Sequence, residues 1–125
     1  MAEISLVSLA KALNLLTSVY QSDLSELERD GAILRFKYTL ERCWKSSKKI
    51  LLANGIETDT PKNVMRELGQ LGWISDPASW LDYIEKRNMT SHMYNEEVAN
   101  EIFKIIGQFI KDANLLLSVL GSKNK

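Results

Sequence analysis

The chain has 125 residues, with 16 lysines and arginines against 16 aspartates and glutamates, so its formal net charge is zero. Hydrophobic residues make up 45% and charged residues 26%, which argues for one globular domain with a core of its own and against disorder. Zero net charge excludes bulk basicity as a reason to bind nucleic acid and leaves only local patches.

Helical periodicity dominates from the start. Leu6, Leu9, Leu13, Leu16 and Tyr20 step by three and four and stack on one face of a first helix, which Ser22 and Asp23 end. Ser25 followed by Glu28 is a capping-box pattern that opens a second helix. Ile33, Phe36, Leu40, Cys43, Ser47 and Ile50 carry its apolar face to Asn54-Gly55, a natural stop, over about 30 residues. Gly31 inside it costs about 1 kcal/mol relative to alanine, so a start near Asp30 is the alternative. Thr60-Pro61 opens a short third helix from Lys62 to Leu71, and Gly72 ends it. Asp76-Pro77 repeats the device for a fourth helix that runs to about Met89. Asn95, with Glu96 and Glu97 in the first turn, caps a last helix. Its stripe is Val98, Ile102, Ile105, Phe109, Ala113, Leu116 and Leu120. The expectation is an all-α fold: an antiparallel up-and-down bundle of three long and two short helices. It forms a single domain over residues 1–125, with a flexible tail from 120.

The single cysteine has no partner for an internal disulfide, and with one histidine no Cys/His cluster is available for zinc. No cofactor or metal is expected. Cys43 falls on the apolar face of the second helix, where packing rather than nucleophilic chemistry is its role. Trp44, Trp73 and Trp80 read as core or interface residues, with a nucleobase platform as the other reading. The opening segment MAEISLVSLAKAL lacks a basic n-region and a long apolar h-region, and no apolar run approaches the roughly 18 residues of a membrane helix. A cytoplasmic protein without a membrane partner is expected.

Two clusters carry chemistry. Arg87-Asn88-Met89-Thr90-Ser91-His92-Met93-Tyr94 crowds a cation, an amide, two hydroxyls, the only imidazole and a phenol into one helix junction. One reading is that these groups cap helix ends and bond one another. The other is a reaction: histidine is the side chain suited to moving protons near neutrality, and arginine holds a phosphate by a two-pronged hydrogen bond. His92 would take the proton of a ribose 2′-hydroxyl while Arg87 holds the pentacoordinate phosphate, cleaving RNA without metal. On an unbroken helix, five residues rotate by about 500° and leave the two side chains about 140° apart. The helix must therefore loosen near Thr90, or the site must combine two subunits. The second cluster is Arg35, Lys37, Arg42, Lys45, Lys48 and Lys49 against Glu41 alone, a local net of +5. Arg42, Lys45 and Lys49 share a face beside Trp44, either as a solvated surface or as an anion site for RNA, nucleotide or an acidic protein. Residues 23–30, with a net of −3, offer an internal counterweight to it.

From about Leu27 to Leu120 the chain resembles the nucleotidyltransferase substrate-binding protein family, a branch of the HEPN superfamily of small helical proteins. The segments that carry the resemblance are LERDGAILRFKYTLERCWKSSKKIL (27–51), TPKNVMRELGQLGWI (60–74) and WLDYIEKRNMTSHMYNEEVANEI (80–102). The last is similar to the HEPN pattern of Arg, a polar residue, a spacer and His, filled by Arg87, Asn88 and His92. It also resembles the longer form in toxin members, with Tyr94 in the final place. The resemblance implies a helical bundle that dimerises and a partner that is a minimal nucleotidyltransferase, as in two-component toxin–antitoxin pairs. In toxin members it implies a metal-independent ribonuclease site at the dimer cleft, silenced by AMP transfer to the tyrosine matched by Tyr94. For other members it implies a non-catalytic substrate-binding subunit. The chain is not expected to transfer nucleotides itself: that reaction needs a Gly-Ser turn followed by spaced aspartates, and its sole Gly-Ser, Gly121-Ser122, has no aspartate after it.

Overall fold

The computed structural model describes residues 3–124. Among them the backbone forms helices α1 (Val7–Val19), α2 (Glu26–Ala53), α3 (Pro61–Gln70) and α4 (Pro77–Asn88), a 3₁₀ turn (Met89–His92), and helices α5 (Glu96–Lys104) and α6 (Ile106–Lys123). The fold is all-α, and no described helix is long and apolar enough to cross a membrane.

The helices begin where short side chains can satisfy the first free amides. Ser25 Oγ accepts from the Glu28 amide at 3.2 Å, and Glu28 Oε1 accepts from the Ser25 amide at 3.0 Å. This reciprocal pair starts α2 at Glu26, so Gly31 lies inside the helix and the later start near Asp30 is not used. Thr60, Asp76 and Asn95 cap α3, α4 and α5 through the amides of Asn63, Ser79, and Glu97 with Val98. At the other end of α2, Gly55 turns left-handed at φ +84°, and the Ile56 amide reaches back to the Leu51 carbonyl at 2.9 Å. A residue with a Cβ is strained in that conformation. Helix α3 ends the same way at Gly72.

The last predicted helix is present but runs in two segments. Ile105 sits between them, its amide bonded 3.3 Å to the Ile102 carbonyl, three residues back. The buried stripe across the break is Ala99, Ile102, Ile106, Phe109, Ala113, Leu116 and Leu120, while Val98 and Ile105 are half-buried. The flexible tail expected from residue 120 is helical to Lys123. Leu120 is fully buried, and the Asn124 side chain exchanges two hydrogen bonds with the Ile4 backbone. Burying Leu120 holds the helix through Gly121; Lys125 lies outside the described residues.

Helices α1, α2 and α6 pack on one another, and α3 and α4 close the remaining side of α2. At the centre, the Phe36 and Phe109 rings meet edge to face at 4.9 Å, and Trp80 and Tyr83 reach Phe109 at 5.8 and 5.3 Å. Such contacts contribute about 0.5–1.5 kcal/mol each beyond their buried area. Trp80 is therefore a core residue. The Tyr83 hydroxyl donates to Asp112, tying α4 to α6, and burial together with that carboxylate pushes the phenol well above its usual range.

Arg29 is buried, only 7% exposed, in the acidic segment that opens α2. Its guanidinium donates to Glu96 and to Asn100 Oδ1 at 3.1 Å on α5, and to Asp30 at 2.9 Å. The acidic run thus serves its own capping box and this pin, and does not neutralise the basic face of α2. The hydrogen bond from Arg29 holds the Glu96 carboxyl below its ordinary value of 4.5. A lowered folded value means stability that is complete above the ordinary glutamate range and is lost as pH falls through the folded value. Arg29→Ala removes a buried stem and several charge-assisted bonds and is expected to cost about 2–4 kcal/mol. Glu96→Gln is expected to lower the urea midpoint at pH 7 and to lower it less at pH 3, as the wild-type carboxyl begins to take up its proton. An equal deficit at the two pH values would contradict the pin.

Candidate functional site

The junction between α4 and α5 is fixed by its own polar side chains. Thr90 Oγ1 donates to the Arg87 carbonyl at 2.7 Å and is buried, and Asn95 caps α5. The capping reading of the junction therefore holds for Thr90, and Asn95 caps the following helix as expected from its own signal. It does not hold for His92 and Tyr94. Both are exposed, Tyr94 at 83%, and neither side chain hydrogen-bonds another described residue. Their ring centroids lie 6.1 Å apart.

Arg87 faces elsewhere. It is half-buried against α2, with Nη2 3.6 Å from Glu41 Oε2. Arg87 and Asn88 line a pocket of about 150 Å³ together with Leu40, Trp44 and Pro61. Loosening of the helix does occur, since the backbone passes from α to 3₁₀ at Met89. It does not bring the pair together. Two α steps and three 3₁₀ steps rotate the chain by about 560°, which leaves Arg87 and His92 about 160° apart. The structure gives Arg87 and Asn88 a common pocket and sets His92 beside Tyr94, with no hydrogen bond or ion pair between the two pairs among the described residues.

The basic residues of α2 also separate. Arg42 faces α1, donating from Nε to Ser8 Oγ at 2.8 Å and from Nη1 to the Tyr38 carbonyl at 3.0 Å. Lys45 leans the other way, 3.3 Å from Glu41 and 5.8 Å from the Trp44 ring centroid. Lys49 is exposed and forms no ion pair with a described residue. Sequence reasoning missed Glu41 as a site residue: its carboxylate is shared by Arg87 and Lys45, and the signal was its isolation among six cations. Burial pushes the Cys43 thiol far above its usual range, so it is no nucleophile. No group of three His, Cys, Asp or Glu side chains suited to a metal occurs among the described residues.

The chain belongs to the family described as nucleotidyltransferase substrate binding protein like, whose pattern its residues 3–122 match. Over 100 residues it is 33% identical to a protein of Haemophilus influenzae (strain ATCC 51907 / DSM 11121 / KW20 / Rd) named probable ribonuclease HepT, spanning 76% of this chain and 68% of that one. Its fold matches the crystal structure of a Thermus thermophilus protein with a TM-score of 0.86 at 33% identity, over 90% of this chain and 98% of that one. It also matches a Haemophilus influenzae structure described as revealing the fold of a substrate binding domain of a nucleotidyltransferase. That match has a TM-score of 0.82 at 28% identity and covers 93% of this chain and 98% of that one.

Glu41 pairs with both Arg87 and Lys45, so an anion approaching either would have to compete with it. Glu41→Gln in a His92→Ala background is expected to tighten binding of a short RNA about threefold to fivefold at low salt, the worth of a partly exposed ion pair. Fluorescence anisotropy measures it, and unchanged or weaker binding would contradict this competition.

Proposed function

We propose that the chain is the RNA-cleaving half of a two-component, toxin–antitoxin-like system whose other half is a minimal nucleotidyltransferase, and that its active site forms between two copies. The observation that carries this reading is that His92 and Tyr94 stand exposed at the helix junction with no hydrogen-bond partner among the described residues, while Arg87, one turn before it, keeps part of its guanidinium at the surface beside Glu41. In the dimer, Arg87 of one copy is paired with His92 of the other. His92 takes the proton from a ribose 2′-hydroxyl, the 2′-oxygen bonds to the adjacent phosphorus, and the 5′-oxygen leaves with a proton from water. Arg87 holds the charge of the pentacoordinate phosphate, and Asn88 beside it hydrogen-bonds the substrate. No metal enters these steps. Tyr94, beside His92, is the modification site. Its hydroxyl oxygen attacks the α-phosphorus of ATP in the partner enzyme, pyrophosphate leaves, and the added AMP fills the cleft with bulk and negative charge.

The test is cleavage of cellular RNA by the purified chain in EDTA. Arg87→Ala and His92→Ala are each expected to lower the rate at least about 100-fold. Equal cleavage by wild type and His92→Ala, or none by wild type, would sink the nuclease reading. With a cognate nucleotidyltransferase and ATP, Tyr94 should gain the mass of one AMP and Tyr94→Phe should not.

A second reading, a non-catalytic subunit that presents a nucleotide to the partner, is favoured by the description of the Haemophilus structure. It expects charge reversal at Arg42, Lys45 and Lys49 to weaken nucleotide or partner binding while His92→Ala leaves it intact.

A further inference from the structure

We infer that the groove between α1 and α2 is a second RNA-binding site, one that holds the phosphate backbone of a single strand away from the cleavage site. The choice of RNA rests on the nuclease reading above. The groove has a volume of about 480 Å³, and Ser8, Lys11, Leu15, Arg35, Tyr38 and Arg42 are among the residues that line it. Three cations share this concavity and no described carboxylate lines it. Neither Lys11 nor Arg35 forms an ion pair with a described residue, so their mutual repulsion is relieved only by solvent or by an anion. Arg42 is already oriented. Its bonds to Ser8 and to the Tyr38 carbonyl engage Nε and Nη1 and leave Nη2 without a described partner.

The spacing favours a chain of phosphates over a single one. Arg35 and Arg42 are about 10 Å apart along the axis of α2, so a phosphate seated on one leaves the other for its neighbour. Lys11 faces them from α1. Tyr38, 46% exposed, gives a base a ring to stack on, and Val7 and Leu15 give the riboses an apolar wall. Exposed cations of α2 lie between the groove and the candidate site. Arg42, Lys49 and Lys45 lie within about 60° on the outer face of α2, and Lys45 shares Glu41 with Arg87. A strand in the groove crosses that face to reach Arg87.

The experiment reads binding rather than cleavage. Labelled single-stranded oligo(U) of 12 nucleotides is titrated by anisotropy against the His92→Ala protein across a range of salt. Lys11→Ala with Arg35→Ala is expected to weaken binding at least about tenfold at 50 mM salt and to reduce the slope of log affinity against log salt by about 1.4. Lys104→Ala with Lys111→Ala, the same charge change outside the groove, is expected to move the slope by less than half as much; circular dichroism checks that both pairs fold. No binding at all, an unchanged slope, or equal effects of the two pairs would overturn the inference. So would displacement of the RNA by poly-glutamate or by ATP at matched charge, which would make the groove a seat for an acidic peptide or for a mononucleotide. The two readings fail separately. A protein that binds RNA through the groove and cuts none keeps this inference and ends the nuclease reading. One that cuts RNA with an unchanged slope in the groove variant does the reverse.

Discussion

The phase of a helix commits each side chain to one direction, and along the run from α4 into the 3₁₀ turn Arg87 and His92 are committed to opposing ones. The change to 3₁₀ geometry at Met89 widens the angle instead of closing it. Thr90 then locks that geometry by bonding back to the Arg87 carbonyl, and the Asn95 cap starts α5 in a new direction. Within one chain the guanidinium lies against α2 while the imidazole and the phenol stand in solvent. The proposed shared site answers this separation by taking the two groups from different copies, and the exposure of Tyr94 suits the modification proposed for it.

Electrostatics on α2 follow from one carboxylate. Glu41 draws Arg87 and Lys45 to the α4 side of the helix, and Arg42, one residue further round, is held on the α1 side by Ser8 and a backbone carbonyl. What reads in sequence as one basic patch is thus two regions joined by an exposed face. Zero net charge conceals this: acids cluster at the start of α2 and on α5, where Arg29 gathers Asp30 and Glu96, while further along α2 six cations have Glu41 as the one carboxylate among them. The pin and the basic face are products of the same uneven distribution.

Much of the fold was legible because the signals are local. Ser25 with Glu28, Thr60-Pro61, Asp76-Pro77 and Asn95 each satisfy free amides within three residues, so the helix starts are written in short words. The stripe of α2 was legible for the same reason, since spacing alone puts Ile33, Phe36, Leu40 and Cys43 on one face. Contacts between distant residues were not. Nothing near Arg29 announces that it will be buried, because its partners Glu96 and Asn100 lie in another helix. The break at Ile105 was hidden because Val98–Ile102–Ile105 and Ala99–Ile102–Ile106 are both acceptable apolar spacings, and packing against α1 and α2 chooses between them. For the site, the residue types and their conflict of phase could be read, but not the separation of Arg42 from Lys45, which depends on what α1 and α4 place beside them.

The claim on which the account turns is that each active site takes its arginine from one copy and its histidine from the other. Mixing the Arg87→Ala and His92→Ala proteins under conditions that exchange subunits tests it directly. Each mixed dimer then carries one complete site and one doubly deficient site. RNA cleavage should return to about a quarter of the wild-type rate at equal mixing, from two proteins that are each inactive. A mixture that stays as inactive as its components, with mixed dimers verified by mass spectrometry, would contradict the shared site.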